Sequence, residues 1–554
     1  MTDRAFSLLD EPWVLCRRRD DSIVAVSIRD VFEDDGTLIA VCGESPTQDY
    51  AVLRTLLAIF WRAHRRTEAD VSGTFRFTAW RREALNEARS GTADGRVLDY
   101  VAEFAPRFDL LHPTAPFMQV ADLATPSGAV SPVSRIVPDA ENDFFTLRDG
   151  EGRESISFAE AARWTVHTHA YDPSGIKSGA LGDPRVKGGR GYPIGVGWSG
   201  MTGGTIVEGR TLRETLVLNT PRAVLLADEA DRPVWERPPD TSMARPVEVP
   251  AGAADIATWQ SRRIRLFHDS ENVRAVLVSN GDRIPDAGAN VFADPMTPYR
   301  WSKNKSVGGK VVYYPLPYPV ERTMWKSLEP LILPEGEFAL GKGEHAPKRP
   351  VVLDALGDDS EDISDDFGDI RVRLVSASYG PQDSTHAASV DAHLDVSPRL
   401  FEADFAAVRS DVVAAARAAL KAATCLGQFG GDLLLAAGGD YAFQPDPTES
   451  LLASLEPDFR DWVRKLRPES DETVEAACVD WQRHVTKEVL DRATVQAAGA
   501  GPRALIGRVI ATDTSERVVS AATAMRALRK RLTSELPLAP EHSAFASPSP
   551  QQTN

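Results

Sequence analysis

After Pro398 the apolar residues fall on helical periods four times in succession, and this run constrains the fold more than any other feature of the chain. Phe401, Phe405, Val408, Val412, Ala415 and Ala419 form one stripe at three- and four-residue steps. Phe459, Trp462, Val463 and Leu466 form a second, with Pro457 placed to open it. Val474, Cys478, Trp481, Val485 and Val489 form a third, and Val518, Ala522, Met525 and Leu532 a fourth. Connections rich in Gly, Pro and Asp separate them at 427–447, 467–471 and 498–502. Each amphipathic helix must bury its stripe, so four in sequence predict a helix bundle over 396–540. The Ser-, Pro- and Gln-rich end, 541–554, reads as a disordered tail.

The first 395 residues show no single period. Ser45-Pro46-Thr47-Gln48 fits a capping box with Pro at the first helical position, and Leu53, Leu56, Leu57 and Phe60 follow at helical spacing. A helix is expected from Ser45 to about Arg65. Stretches 210–226, 275–278 and 311–314 read as β or mixed structure, heavily punctuated by turn residues. The expected class is α+β: a large mixed domain over 1–395, then a C-terminal four-helix bundle. A chain of 554 residues exceeds what one core ordinarily supports. No run reaches 18 apolar residues and Met1–Asp10 lacks a signal-peptide pattern, so a cytoplasmic protein without a membrane partner is expected. Cys16, Cys42, Cys425 and Cys478 are far apart and read as free thiols.

A net charge of −17 argues against a protein that coats nucleic acid with its whole surface. The acid is unevenly placed, however. Eight acidic residues and no Lys or Arg lie between Val351 and Ile370, which marks an acidic linker near 354–369. Local loops remain free to meet a polyanion.

The segment 171–210 holds 12 of the 39 glycines, interspersed with Lys177, Arg185, Lys187 and Arg190. Gly195-Val196-Gly197-Trp198-Ser199-Gly200 matches the dinucleotide string G-x-G-x-x-G by letter, but the continuation reads as turn and strand instead of helix. Gly175-Ile176-Lys177-Ser178 lacks the Gly that precedes a P-loop Lys, and Ser199 lacks the Gly two residues later that a nucleophile elbow needs. None of the ten histidines forms a metal-ligating pair of the H-E-x-x-H kind, and His167 and His169 read as structural or surface residues. No carboxylate cluster suggests a two-metal nuclease. No catalytic residue, metal or cofactor is therefore expected. Two uses remain open for the glycine-rich segment: a slim cationic loop for phosphates and grooves, or a mobile surface loop. Ser378–Ser384 reads as a hairpin tip after the alternating Val372, Leu374 and Ser376. Phe144 and Phe145, after Asn142-Asp143, are core aromatics or a stacking platform for a base.

Taken in order, these features resemble a known family. Phe6-Ser7-Leu8-Leu9-Asp10-Glu11-Pro12-Trp13, Glu44-Ser45-Pro46-Thr47-Gln48, His112-Pro113 through Phe117-Met118-Gln119, Asn142-Asp143-Phe144-Phe145, the glycine-rich segment, Tyr379-Gly380-x-Gln382 and the closing bundle resemble the CasA-type large subunit of the type I-E CRISPR surveillance complex, Cascade. The resemblance implies a subunit that recognises the PAM of double-stranded DNA through the minor groove, whose code is degenerate. It implies PAM and DNA contact by Gly195, Gly197, Lys177, Arg185, Lys187 and Arg190. A wedge hairpin of Tyr379, Gly380, Gln382 and Asp383 would start the R-loop, with Gln382 at its tip. Asn142, Phe144 and Phe145 would contact the handle of the CRISPR RNA. The implied partners are the other Cascade subunits, CRISPR RNA, target duplex and a helicase-nuclease that the subunit helps recruit. A nucleotide- or dinucleotide-dependent enzyme using segment 171–210 is the alternative, and a purely scaffolding subunit a third reading.

Overall fold

A computed structural model describes residues 4–66, 75–138, 148, 154–246, 249–358, 367–466, 471–512 and 515–539. The fold mixes helix and sheet, and the last third is helical, as the stripes predict. Two compact units emerge: residues 1–323 with 333–394, and residues 324–332 with 395–554. The tail 541–554 and the acidic residues 359–366 lie outside the described residues.

The first unit is organised around the helix Pro46–Ala63. The Ser45 side chain accepts from the Gln48 backbone N–H, so the start predicted from the capping residues is the one observed. Every residue from Thr47 to Trp61 is buried, which leaves the helix no solvent face. Its one interior cation must then be neutralised from within. Arg54 donates to Asp294 at 2.5 Å, and Asp294 also accepts from the Trp198 indole at 2.6 Å. Side-chain exposures of 2% and 0% mean that losing either partner strands the other charge.

Three antiparallel strands, Gly203–Glu208, Ile370–Tyr379 and His386–Val396, form a sheet with Ile370–Tyr379 in the middle. Arg371 pairs with Glu208 and Ser376 with Gly203. Val372 and Leu374 alternate into the core, and residues 380–385 close the predicted hairpin. A second sheet pairs Arg262–His268 with Asn272–Asn280, to which the short strands Ser131–Pro132 and Ile156–Ser157 add. The expected β structure at 275–278 is therefore present, and Tyr313–Pro315 pairs with Tyr299–Trp301. Stretch 210–226 differs from expectation. It forms the helices Leu212–Leu218 and Arg222–Leu225, the first capped by Thr211, whose side chain accepts from the Glu214 N–H. The Thr-x-x-Glu capping pattern, with Leu212 and Leu216 buried on one face, outweighs the local β character.

The second unit is built on the 32-residue helix Ala406–Ala437, against which Pro445–Lys465, Asp471–Gly499 and Ala521–Glu535 pack. Three boundaries move relative to the sequence pattern. The long helix runs through Gly427, Gly430 and Gly431 before ending at Gly438, which is left-handed at φ 109°. These glycines serve contact instead of a break: a Cβ on Gly431 would lie 2.7 Å from the Tyr441 ring, and one on Gly427 2.5 Å from Phe443. Pro457 lies inside its helix, which Pro445 opens. Val518 lies in the hairpin Arg508–Thr512/Ser515–Val519, so the last helix begins at Ala521.

The stripes also acquire a member that their own segment does not contain. Trp325, on the helix Thr323–Ile332, stacks among Phe459 (4.6 Å) and Trp481 (6.4 Å) and donates its indole N–H to the Leu452 carbonyl.

His167 and His169, both on the helix Phe158–Tyr171, are fully buried. His167 shares a hydrogen bond with Thr47, and His169 with the Met118 carbonyl. Burial pushes their imidazoles down to about 3 and about 4. These interiors set how stability responds to mutation and to pH. Arg54→Met should cost about 3–5 kcal/mol in denaturant unfolding, because Asp294 is left unpaired. Below pH 6.5 the unfolded state takes up protons that the folded imidazoles refuse, so stability falls with acidification. Between pH 7 and 5 the loss should be on the order of 2 kcal/mol per imidazole, and His167→Gln should remove one share of it.

Candidate nucleic-acid interface

The glycine-rich segment starts where the helix Phe158–Tyr171 stops. Asp172 is its C-cap and is buried, so its carboxylate needs cations. Three arrive: Arg262 Nε at 2.5 Å, Arg135 Nη1 at 2.7 Å and Lys177 Nζ at 2.9 Å. Burial alone would raise the carboxyl pKa, but Arg262, Arg135 and Lys177 hold it well below the usual range. Lys177 feels the same burial, which lowers its ammonium to about 8 against the pull of Asp172.

Arg262 then reaches further. Its Nη2 donates to the carbonyls of Asp172 (3.0 Å), Pro173 (3.1 Å) and Gly195 (2.8 Å). One guanidinium thereby holds both ends of the 172–195 stretch. Between those ends Lys177–Ser178 pairs with Arg190–Gly191 as a small hairpin. Its tip, Lys187-Gly188-Gly189-Arg190, closes with reciprocal backbone hydrogen bonds of 3.1 Å. Gly188 and Gly189 both have positive φ, the arrangement of a type I′ turn.

The Ile370–Val396 hairpin is fastened to the same segment. Tyr379 donates its hydroxyl to the Tyr171 carbonyl at 2.8 Å, and the Ser174 N–H donates to the Asp383 carbonyl at 2.8 Å. Gly200 makes room for this, since a Cβ there would lie 2.3 Å from the Tyr379 hydroxyl. At the exposed tip Gln382 (φ 59°) and Asp383 (φ 55°) are consecutive left-handed residues without glycine. Such conformations cost about 1–3 kcal/mol each and persist where surrounding bonds enforce them. Here the bonds are Gly380 N–H to the Thr385 carbonyl and Ser174 to Asp383.

A concavity of about 440 Å³ collects these parts. Val196, Gly200, Ala287, Arg300, Tyr379 and Asp383 contribute to its walls. Ala287 stands in a turn where it and Asp286 both take positive φ. Arg300 begins a stretch that neither helical nor strand periodicity flags. Between Asp294 and Glu321 there are four cations, Arg300, Lys303, Lys305 and Lys310, and no acid. All four are exposed. In a chain of charge −17, a run of 26 residues without a carboxylate is the trace that the sequence carries of this area.

The expected DNA-contact residues divide into two groups. Lys187 and Arg190 are exposed at the turn and have no side-chain partner among the described residues. Gly195 is open, with nothing within 4 Å of a built Cβ, and its φ of 98° requires glycine. Lys177, by contrast, is committed to Asp172. Arg185 is paired with Asp183 and donates to the Asn280 and Gly281 carbonyls. Gly197 is buried where a Cβ would lie 2.3 Å from the Ala170 carbonyl, so it serves packing against the helix end. Asn142, Phe144 and Phe145 lie outside the described residues.

The Gly195–Gly200 string leads into the 3-10 turn Trp198–Met201 and the strand Gly203–Glu208. No helix N-terminus follows to receive a pyrophosphate, which the dinucleotide motif requires. Among the described residues no group of three or more His, Cys, Asp or Glu side chains is placed to hold a metal ion, and no helix is long and apolar enough to cross a membrane.

Comparison with known proteins agrees with the ordered motifs. The sequence profile of the CRISPR-associated protein Cse1 family matches residues 7–492. The CRISPR-associated protein CasA/Cse1 of Thermus thermophilus is 28% identical over 354 residues, 62% of this chain and 63% of that protein, so the match spans less than two thirds of this curated relative. The crystal structure of Thermobifida fusca Cse1 superposes with a TM-score of 0.84 at 36% identity, covering 97% of this chain and 99% of that one. A chain of a solved CRISPR RNA-guided surveillance complex shares the fold at 20% identity, with a TM-score of 0.64 over 90% of this chain and 99% of that one. On the profile match and the T. fusca likeness, the chain belongs to the CRISPR-associated protein Cse1 family.

Proposed function

We propose that this chain is the non-catalytic large subunit of a cytoplasmic type I-E CRISPR RNA-guided surveillance complex, where it senses the PAM in double-stranded DNA and opens the adjoining duplex. The observation that carries this reading is the joining of a strained, exposed hairpin tip to a glycine-rich segment beside one concavity with an exposed cation, Arg300. Backbone at Gly195 approaches the minor groove without a side chain in the way, and the degenerate code there suits a reader that tolerates several PAM sequences. Gln382 enters the first base step beyond the PAM.

Unstacking a base step costs on the order of a few kcal/mol, which the wider protein surface touched by a bent duplex offsets. A tip already held in an unfavourable backbone conformation loses little further entropy on insertion. Base pairing with the CRISPR RNA then reads the sequence, as in other RNA-guided effectors. The remaining Cascade proteins and the CRISPR RNA handle are the assembly partners, the bundle meets the small subunits, and a helicase-nuclease is recruited to do the cutting.

In the assembled complex, Gln382→Ala should reduce opening of PAM-bearing duplex by about tenfold or more, given the stacking it replaces. A fluorescent base beside the PAM reports this, and binding of single-stranded target should be unchanged. Equal target binding with and without the subunit rejects the whole reading. Lys187→Ala with Arg190→Ala should weaken binding to every PAM alike and lower the salt dependence of log K by about 1–2, the signature of lost phosphate contacts. A change in PAM preference instead would place these cations at base edges.

A further inference from the structure

A second cavity, of about 600 Å³, lies along the other side of the Ile370–Val396 hairpin. The outgoing side of that hairpin, Ala377 to Tyr379, borders the 440 Å³ concavity. The return side, Ser384, Thr385 and His386, borders the larger cavity. The hairpin is thus a partition between the two. The volume falls within the ~300–1,000 Å³ typical of pockets that bury small ligands.

Its lining has a definite chemistry. Ser131 and Ser134 come from the segment 131–135, Ser174 from the glycine-rich stretch and Thr385 from the hairpin. None of these four hydroxyls has a hydrogen-bond partner among the described residues, so each is free to donate and accept. The same cavity is lined by Arg135 and Lys177, cations whose charges Asp172 only partly balances. His386 presents an imidazole whose pKa burial lowers, edge-on to the Tyr379 ring at 5.9 Å. Rotatable hydroxyls suit the mixed donors and acceptors of a base edge, and neighbouring cations suit the phosphate attached to it. The Ser174–Asp383 hydrogen bond sets this cavity directly behind the tip.

A side chain driven into a base step must send the displaced nucleotide somewhere, and proteins that extrude a nucleotide hold it in a fitted pocket. We propose that the cavity walled by Ser131, Ser134, Ser174, Ser384, Thr385 and His386 receives the nucleotide that the hairpin tip displaces next to the PAM. The hairpin tip keeps the base step open, and the cavity behind it holds the nucleotide that the tip expels. The inference rests on the wedge reading of the hairpin. Either DNA strand can supply the nucleotide, and the two are distinguished by experiment.

The test uses the complex of full-length chain, the other Cascade proteins and CRISPR RNA on PAM-bearing duplex. Thymines are placed at the first three protospacer positions, in one strand and then in the other, with guide bases mismatched there so that neither strand pairs with the CRISPR RNA at those positions. Permanganate oxidises thymines that are unstacked and accessible. With the wild-type chain, one thymine beside the PAM is protected while its neighbours react, and the strand that shows it is the source. Ser134→Trp fills the cavity from a segment remote from the tip. It should raise the reactivity of that thymine by about fivefold or more, as expected for release from a pocket, and leave affinity for the PAM duplex unchanged. Ser131→Phe fills the cavity from the neighbouring short strand and should give the same pattern, which separates filling from local misfolding. A thymine that stays protected in both variants is still paired, and that result overturns the proposal. So does the absence of a protected thymine in either strand. Loss of all PAM-dependent reactivity strikes the wedge reading itself.

Discussion

Much of the first unit's surface chemistry depends on one buried carboxylate. Asp172 ends a helix, sits out of water and collects Arg262, Arg135 and Lys177. Without those cations its burial would be prohibitive, and without Asp172 the three would repel one another in the same low-dielectric space. Because Arg262 also grips Gly195, Pro173 and its own anchor, electrostatic necessity in the core becomes geometric order at the surface. The loop ends are fixed by a guanidinium whose donors are planar and rigidly spaced, which a lysine could not reproduce.

On the proposed function, charge distribution is what would let an acidic chain face a polyanion. The 26 residues around Arg300 contain no carboxylate, and Asp383 contributes one to the concavity's wall. Screening at physiological salt limits exposed charges to a reach of about 8 Å, so local sign matters more than the total of −17. Net acidity then disfavours indiscriminate adhesion to nucleic acid while a small cationic area remains usable.

Periodicity and capping chemistry are legible wherever local forces decide. The helix opened by Ser45-Pro46, the alternating strand through Val372 and Leu374, and the stripes of the bundle all follow from spacing. Composition alone is less informative about use. Lys177 and Arg185 look in sequence like Lys187 and Arg190, yet the first two are paired with Asp172 and Asp183 while the others have no such partner among the described residues. Glycine shows the same ambiguity: Gly195 is open, Gly197 and Gly200 are close-packing positions, and Gly427 and Gly431 let a long helix accept Phe443 and Tyr441. Contacts between residues distant in sequence separate these roles, and such contacts leave no local trace. The 600 Å³ cavity is illegible for the same reason, since its walls come from segments more than 200 residues apart.

The helix Thr323–Ile332 carries a consequence for how the chain is made. Trp325 donates to the Leu452 carbonyl, 127 residues later, and stacks on rings later still. At synthesis rates of about 5–20 residues per second, its partners emerge roughly 6–25 s after it does. Throughout that interval a helix with an apolar face, destined for a bundle that does not yet exist, must avoid every other partner. The order of emergence thus makes this short helix a point where chaperone capture and misassembly compete with folding, and it ties the completion of the bundle to the fate of a segment translated well before it.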